Sequence, residues 1–290
     1  MKQAVLITGA AGGLGAATAQ EFADHDWVVF AAGRHPPGAG EGRIPITLDV
    51  TESESCAAAA KEIATRTDGL GAVINFAGVY DVGPLMEASD ERLQRILDVN
   101  VLGTHRVNRA MYPLVRAGGG RIVNISSEAG RFRAGLTSGP YSMSKHALEA
   151  YSDALRQELM FVGIPVIVIE PGFFRTPMSQ TVTDPLNRSV VPGSPFEPLV
   201  KFSLTMSAKR AKNPHDPSIL ARAVYRAVTS RRPKPRYLVK ATLALRMMEV
   251  VPAPVLDQLM KAAVEYTSGL THATSAAADT DLHRHRAKRQ

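Results

Sequence analysis

The chain has 290 residues, 45% of them hydrophobic, with 34 basic and 27 acidic side chains for a formal charge of +7. That length and apolar share support a globular fold with a substantial core, in one large domain or two small ones. A single cysteine, Cys56, excludes an intrachain disulfide, and no apolar run approaches the roughly 20 residues of a membrane helix. Neither the lone cysteine nor the short Ala4–Ile7 run, too brief for a signal-peptide core, points to export, so a cytoplasmic location is expected.

Ala4–Thr8 is a short apolar run ending in glycines and reads as a buried strand. Gly13–His25 has helical spacing, and Trp27–Ala32 reads as a second strand. Pro36–Gly40 is a loop. Ile44–Leu48 reads as a third strand, placed at an edge or strand start by Pro45. An alanine-rich helix covers Glu52–Arg66, and Ala72–Asn75 is a fourth strand. Asp90–Val115 holds one long helix or two joined ones, ended by Gly118–Gly120. Arg121–Ile125 is a fifth strand, Tyr141–Val162 a long helix and Pro165–Ile169 a sixth strand. Strands alternating with helices predict a doubly wound parallel sheet, an α/β Rossmann fold covered on both faces.

After Pro171 the pattern changes. Residues 177–217 are rich in Pro, Ser and Thr with weak periodicity. They leave from a carboxyl end of the sheet, where substrate binds in such folds, so they are expected to form an irregular lid. A helix over Ser218–Val228 and a last strand over Arg236–Val239 follow. Val255, Leu256, Leu259, Met260, Ala263 and Val264 make an apolar helical stripe whose default reading is core. The expected organisation is a catalytic core over 1–178, lid and last strand over 179–240, a helical extension over 241–270 and a disordered tail over 271–290. No metal site is expected, because the histidines of the tail have no ligand spacing.

The first strand runs directly into Gly9, Gly12, Gly13, Leu14 and Gly15 and then a helix. Glycines there let backbone approach a pyrophosphate, whose charge suits a helix N-terminus. An NAD site places a carboxylate at the end of the second strand, but here Ala31–Gly33 leads to Arg34. A guanidinium can pair with a 2′-phosphate, so Arg34 reads as a selector for NADP, with NAD as the alternative. Asp49, followed by Val50 after the third strand, could cap the next helix or receive the adenine amino group.

Tyr141 and Lys145 lie four apart on one helix face. An ammonium beside a phenol favours the phenolate, so the pair could serve as a general acid/base. Tyr-x-x-x-Lys occurs by chance in many helices. What gives it weight is the company of the glycine turn, Asn75–Gly78, Asn100, Ile125–Ser127 and Pro171–Gly172.

Together these residues resemble the short-chain dehydrogenases/reductases, from about Lys2 to Met178 and more loosely to Val239. Thr8-Gly9-x-x-x-Gly13-x-Gly15 matches the family's cofactor motif, and Asn75-Phe76-Ala77-Gly78 its Asn-Asn-Ala-Gly motif with Phe in the second place. The resemblance implies NAD(P)-dependent hydride transfer between nicotinamide and an alcohol or ketone. It implies cofactor contacts from Asn75, Ala77, Gly78, Tyr141, Lys145, Pro171, Gly172 and Thr176. It implies a catalytic set of Asn100, Ser127, Tyr141 and Lys145, in which Asn100 anchors a water that relays protons to Lys145. A homodimer or homotetramer built on the helices of Asp90–Val115 and Tyr141–Val162 follows from the same likeness. The stretch Leu148–Arg156 with Ile169–Gly172 is similar to retinol and hydroxysteroid dehydrogenases.

Ser127 stands fourteen positions before Tyr141, one more than the family's usual spacing. An insertion within Arg131–Gly139 would explain it and would put that loop at the substrate. The glycines also satisfy Thr-Gly-x-x-Gly-x-x-Gly, as in extended epimerases and dehydratases. A cofactor-binding sensor without turnover is the alternative of a different class. From Lys201 to Arg246 there are twelve basic residues and one acid, Asp216. That segment contains Tyr225 and Tyr237 but no nucleic-acid motif, so no nucleic-acid partner is expected. Its basic residues and the apolar runs after it would suit a peripheral membrane contact, although an ordinary surface helix is the commoner outcome. The apolar lid suggests a bulky apolar substrate.

Overall fold

The computed structural model of the chain describes residues 3–40, 42–177 and 183–269. Seven strands form one sheet: β1 (Ala4–Thr8), β2 (Val28–Gly33), β3 (Arg43–Thr47), β4 (Ala72–Asn75), β5 (Arg121–Ile125), β6 (Val166–Pro171) and β7 (Arg236–Val239). Their order is β3-β2-β1-β4-β5-β6-β7 and every neighbouring pair is parallel. The order reverses between β1 and β4, which opens a crevice at their carboxyl ends. The proline-bearing β3 is an edge strand, where the missing N–H of Pro45 is tolerated.

The five inner strands split their side chains between two cores. Val5, Ile7, Ile74, Val123 and Ile167 face one side, where they pack with Phe22 of α1 (Gly13–Ala23) and Leu220 and Val224 of α9 (Pro217–Thr229). Leu6, Val73, Ile122 and Val166 face the other. They meet Ile63 of α2 (Ser53–Ala64), Val107 and Met111 of α4 (Gly103–Ala117), and Leu155 of α6 (Gly139–Leu159). Burial on both faces is why these strands read as unbroken apolar runs.

The segment over Asp90–Ala117 is two helices joined by a π-helical turn. Here α3 (Asp90–Leu97) runs into the turn Asp98–Leu102 and then α4. A π turn widens the helix by one residue, and this one carries Asn100 into the interior. A short α5 (Glu128–Arg131) follows β5.

Two expectations are corrected. The segment after Phe173 is not irregular throughout, since it contains α7 (Asp184–Arg188) and the fourteen-residue α8 (Glu197–Arg210). Lys201 and Lys209 interrupt the apolar pattern of α8, yet Val200 and Phe202 are buried, so tertiary packing fixes a helix that periodicity does not reveal. The Val255–Val264 stripe is not core. It lies on α11 (Ala253–Ser268), behind α10 (Leu243–Met248), and α11 packs mainly on α8. With one helical neighbour it can bury at most one side, and Val255 and Leu259 stay 51% and 59% exposed. No helix among the described residues is long and apolar enough to cross a membrane. The tail expected over 271–290 lies outside the described residues, as do Met178 to Val182 of the expected lid.

Candidate active site

The carboxyl ends of β4, β5 and β6 converge on the first two turns of α6. Ser127, directly after β5, is the N-cap of α5, and its Oγ accepts from the Ala129 N–H at 3.1 Å. The Ser127 side chain is close enough to the Tyr141 phenol to pull its pKa down. Its neighbour Ser126 points into the protein, and its buried hydroxyl meets no partner among the described residues. The structure therefore brings Ser127, not Ser126, to Tyr141. Lys145 is buried, its ammonium donates to the Ile125 carbonyl at 2.9 Å, and it lies 5.7 Å from the centroid of the Tyr141 ring.

Asn100 is fixed from three sides. Its Nδ2 donates to the Val79 carbonyl and to Ser144 Oγ, both at 3.0 Å, and its Oδ1 accepts from the Val79 N–H at 2.8 Å. Its carbonyl accepts from Thr104 Oγ1. The expected water anchor is thus an amide whose two N–H groups are already committed to protein. These bonds tie the loop after β4 to α6 one residue before Lys145.

Burial decides the electrostatics of the pair. It pushes the Tyr141 phenol well above its ordinary range, against the neighbouring Ser127 hydroxyl, which pulls it down. The expectation that Lys145 lowers the phenol is corrected by this: the apolar surroundings win. The same burial pulls Lys145 down to about 8, opposed by the charge of Glu149. At neutral pH the phenol is held protonated beside an ammonium that is close to losing its charge.

The surroundings are apolar. Tyr80 meets Tyr141 edge-on at 4.9 Å, and both join Val82, Leu186, Val190, Val200 and Leu204. Four of these seven come from α7, α8 and the turn between them, so the segment after β6 covers the phenol. The Arg131–Gly139 stretch lines a cavity of about 300 Å³ with Leu85, Met86, Phe196 and Leu199. Arg210, the last residue of α8, pairs with the buried Glu128 of α5, which also accepts from the Thr242 N–H at 2.7 Å. This clamp holds both the lid helix and the C-terminal extension against the residue that follows Ser127.

The nucleotide side lies at the β1–β4 switch. Gly9 has a positive φ of 66°, and a Cβ there would meet Ala77 N at 2.8 Å, while one on Gly15 would meet the Gly9 carbonyl at 2.3 Å. Only glycine fits either place. The α1 N-terminus has no side-chain cap and no acid in its first turn, so its positive end is open to an anion. Gly13 abuts Thr176, Gly78 abuts Asn100, and Ala77 N–H donates to Thr8 Oγ1 at 3.1 Å. This backbone cradle fits the pyrophosphate of a dinucleotide.

Arg34 is exposed just past β2, within electrostatic reach of Asp49 and beside open space at Gly33. Asp49 does not cap α2, whose N-cap is Glu52. Its Oδ1 accepts from the N–H and hydroxyl of Thr51, which, with the Arg34 charge, hold it below the usual carboxylate range. Val50 is buried against Gly103. Asn75 lies inside, donating to Asn108 Oδ1 at 2.7 Å and Asn124 Oδ1 at 3.0 Å, a buried network that fastens β4 to β5 and α4. Pro171 ends β6, and Gly172 stands where a Cβ would strike the Lys240 carbonyl.

With the sheet order, the glycine cradle and the Ser127–Tyr141–Lys145 arrangement in place, comparison with known proteins is decisive. The profile described as short chain dehydrogenase matches residues 3–187. The chain belongs to the short chain dehydrogenase family. Among curated relatives, retinol dehydrogenase 16 of Rattus norvegicus is 38% identical over 189 residues, 62% of this chain and 59% of that protein. The 17-beta-hydroxysteroid dehydrogenase type 6 of Homo sapiens is 37% identical over 194 residues, 63% of this chain and 60% of its own length. This short chain dehydrogenase therefore matches less than two thirds of those proteins. Among solved structures, an actinorhodin polyketide ketoreductase variant with NADPH aligns with a TM-score of 0.67 at 25% identity, over 83% of this chain and 96% of its own.

Several residues of the site carry no signal in a single sequence. Tyr80, Ser144, Glu128 and Arg210 belong to no motif, and only the folded chain brings Tyr80 to Tyr141, Ser144 to Asn100 and Arg210 to Glu128, the residue after Ser127. Arg210 alone left a trace, as one of twelve basic residues between Lys201 and Arg246.

Proposed function

We propose that this short chain dehydrogenase moves a hydride between NADP and a bulky apolar alcohol or ketone. The observation that carries the reading is the Tyr141 phenol, beside Ser127, flanked by Lys145 and enclosed by an apolar cluster from α7 and α8. Bound nicotinamide supplies the hydride. The protein supplies the proton and the charge control. Tyr141 donates its phenolic proton to the substrate oxygen, and Ser127 donates a hydrogen bond to the same oxygen as negative charge develops there. The Lys145 ammonium offsets the charge left on the phenolate. The lid excludes water, which strengthens each of these interactions.

Arg34 and the absence of an acid at the end of β2 support NADP over NAD. The apolar cluster, the cavity at Leu85 and Leu199, and the named alcohols of the retinol and hydroxysteroid relatives support a large apolar substrate. The test is NADPH oxidation across ketones of rising size. We expect kcat/KM to rise with apolar surface; preference for small polar ketones or sugars would end this reading. Cofactor binding without any turnover would favour the sensor alternative, and C–O elimination or epimerisation the extended-type alternative.

We also propose a homodimer or homotetramer through α4 and α6, supported by Leu102 of the turn before α4 and Met143 of α6, which are 49% and 38% exposed. Light scattering of purified protein tests this, and a monomer at micromolar concentration would exclude it. We propose a cytoplasmic setting, and read the exposed Leu243, Met247 and Val250 near Arg246 as an ordinary surface helix in preference to a peripheral membrane contact.

A further inference from the structure

Beyond Lys145 lie three carboxylates and one guanidinium that the Tyr141–Lys145 scheme does not use. Tyr141, Lys145, Glu149 and Asp153 recur every four residues along α6 and so share one stripe. Arg236, the first residue of β7, reaches back to that stripe. Its Nη1 pairs with Glu149 Oε2 and, at 2.9 Å, with Glu170 Oε1 of β6, while its Nη2 pairs with Asp153 Oδ2 at 2.6 Å. Glu149 and Glu170 are 7% and 2% exposed, whereas the Asp153 side chain is 44% exposed.

Glu149 Oε1 is buried and has no hydrogen-bond partner among the described residues. A buried carboxylate oxygen without a donor is costly. Packing alone would be served as well by methionine or leucine at that place. The feature that does need a carboxylate stands one helical turn back. Lys145 has been stripped of solvent, its ammonium meets the neutral Ile125 carbonyl, and Glu149, one helical turn along the same face of α6, is the charge that opposes its loss of a proton. Arg236 in turn offsets the mutual repulsion of Glu149, Asp153 and Glu170, and the burial of Glu170 beside Glu149 pushes that carboxyl up.

We propose that Glu149 is a positioning residue for the Tyr141–Lys145 pair: anchored by Arg236 on the last strand, its carboxylate is the counter-charge that holds Lys145 as an ammonium beside the phenol. The other groups facing this cluster are Arg131 of α5, 4.0 Å from Glu170, and Arg156 of α6, 3.8 Å from Asp153. Neither pairs with Glu149, although Gly130 beside Arg131 packs against the Lys145 backbone. The inference rests on the acid/base reading of Tyr141 and Lys145.

Removing the negative charge makes the neutral amine relatively more stable, so Lys145 should lose its proton at lower pH. Two readouts are taken across pH: kcat/KM for NADPH-dependent ketone reduction, and competitive acetylation of Lys145 read by peptide mass spectrometry. In Glu149→Gln we expect both the alkaline limb and the acetylation midpoint to move down by about one pH unit. Glu149→Asp, which keeps the charge, should stay near wild type. Asp153→Asn, which loosens the same guanidinium from a half-exposed site, should leave both in place. If Glu149→Gln does not fold, Glu149→Met removes the same charge without burying an amide. An unmoved acetylation midpoint in the folded neutral variant overturns the proposal, and so does an equal shift in Asp153→Asn. The parent reading fails separately, if Tyr141→Phe turns over like wild type; the acetylation midpoint then still decides the role of Glu149.

Discussion

Two apolar regions of this molecule behave in opposite ways. In β1, β4 and β6 every residue is buried, whereas α11 contains no buried residue over 253–267. The strands sit between two helical layers, so any apolar side chain finds a partner whichever way it points. The α11 stripe has α8 beneath it and nothing described above it, so half its apolar surface stays in water. An apolar pattern thus states what a segment could bury, and the number of its neighbours decides what it does bury. The active site straddles this divide. Tyr141, Ser127 and Lys145 belong to the sandwiched core, while the groups that enclose them come from the loosely covered C-terminal part.

The sharpest way to break that division is to remove the chemistry from the core and leave the cover intact. Tyr141→Phe keeps the ring in its cluster with Tyr80 and Leu186 but deletes the proton. We expect NADP binding near wild type and turnover lower by at least about 100-fold, the low end for a general acid/base. Steady-state kinetics beside fluorescence titration of NADPH measures both, and near-normal turnover would remove Tyr141 from the mechanism.

A second change stays within the core and moves to the cofactor end. Gly33 has open space around it, so Gly33→Asp with Arg34→Leu places a carboxylate where a ribose hydroxyl is expected and removes the phosphate partner. We expect the NADP-to-NAD ratio of kcat/KM to fall by about tenfold or more, the worth of one charge-assisted pair at roughly 1.5–3 kcal/mol. A wild type that already prefers NAD would show the reading of Arg34 to be wrong.

The third change crosses from core to cover. Arg210→Met leaves Glu128 with Thr242 but releases α8 from α5. We expect KM for bulky ketones to rise and kcat/KM to fall by about tenfold, or ~1.4 kcal/mol, with NADPH affinity unchanged. Equal losses for small and bulky ketones would mean that the clamp shapes Ser127 rather than the lid.

The same division explains what the sequence could disclose. The doubly wound sheet was legible because a strand buried on both faces is a local signal, four to six residues long. The glycine turn was legible because Gly9 and Gly15 meet backbone that allows no Cβ. Tyr141 and Lys145 were legible through helical spacing and a family likeness. What could not be read depends on distant partners. The helix α8 has charges among its apolar residues, and only contact with Val82 and Tyr80 shows which of them turn inward. Burial of the Tyr141 phenol, which reverses the expected direction of its shift, is produced by that same distant cover. The family likeness implies a water at Asn100, and it does not disclose that the Asn100 amide is bound to Val79 and Ser144, which the π turn brings within reach.

The smallest effect is expected where the cover itself is thinnest, on the outer stripe of α11. Val255, Leu259 and Tyr266 recur at helical spacing and are 51%, 59% and 82% exposed, so each has little transfer free energy left to lose. Replacing Val255 and Leu259 together by serine should change stability by no more than about 0.5 kcal/mol per site, the ordinary range for surface positions, and should leave kcat/KM untouched. The helix keeps its contact with α8 through its other side, and serine costs an exposed helix only a few tenths of a kcal/mol relative to leucine. If the stripe is covered in solution by a second copy of the chain or by lipid, the outcome differs in kind. The double variant would then lower the molecular mass seen by light scattering, or lose salt-sensitive flotation with anionic vesicles, while its unfolding in isolation would still be unchanged. A fall in thermal stability well beyond the surface range, with no change in mass or flotation, would show that α11 is held more firmly by the protein than its exposure indicates, and the contrast between the two apolar regions would have to be redrawn.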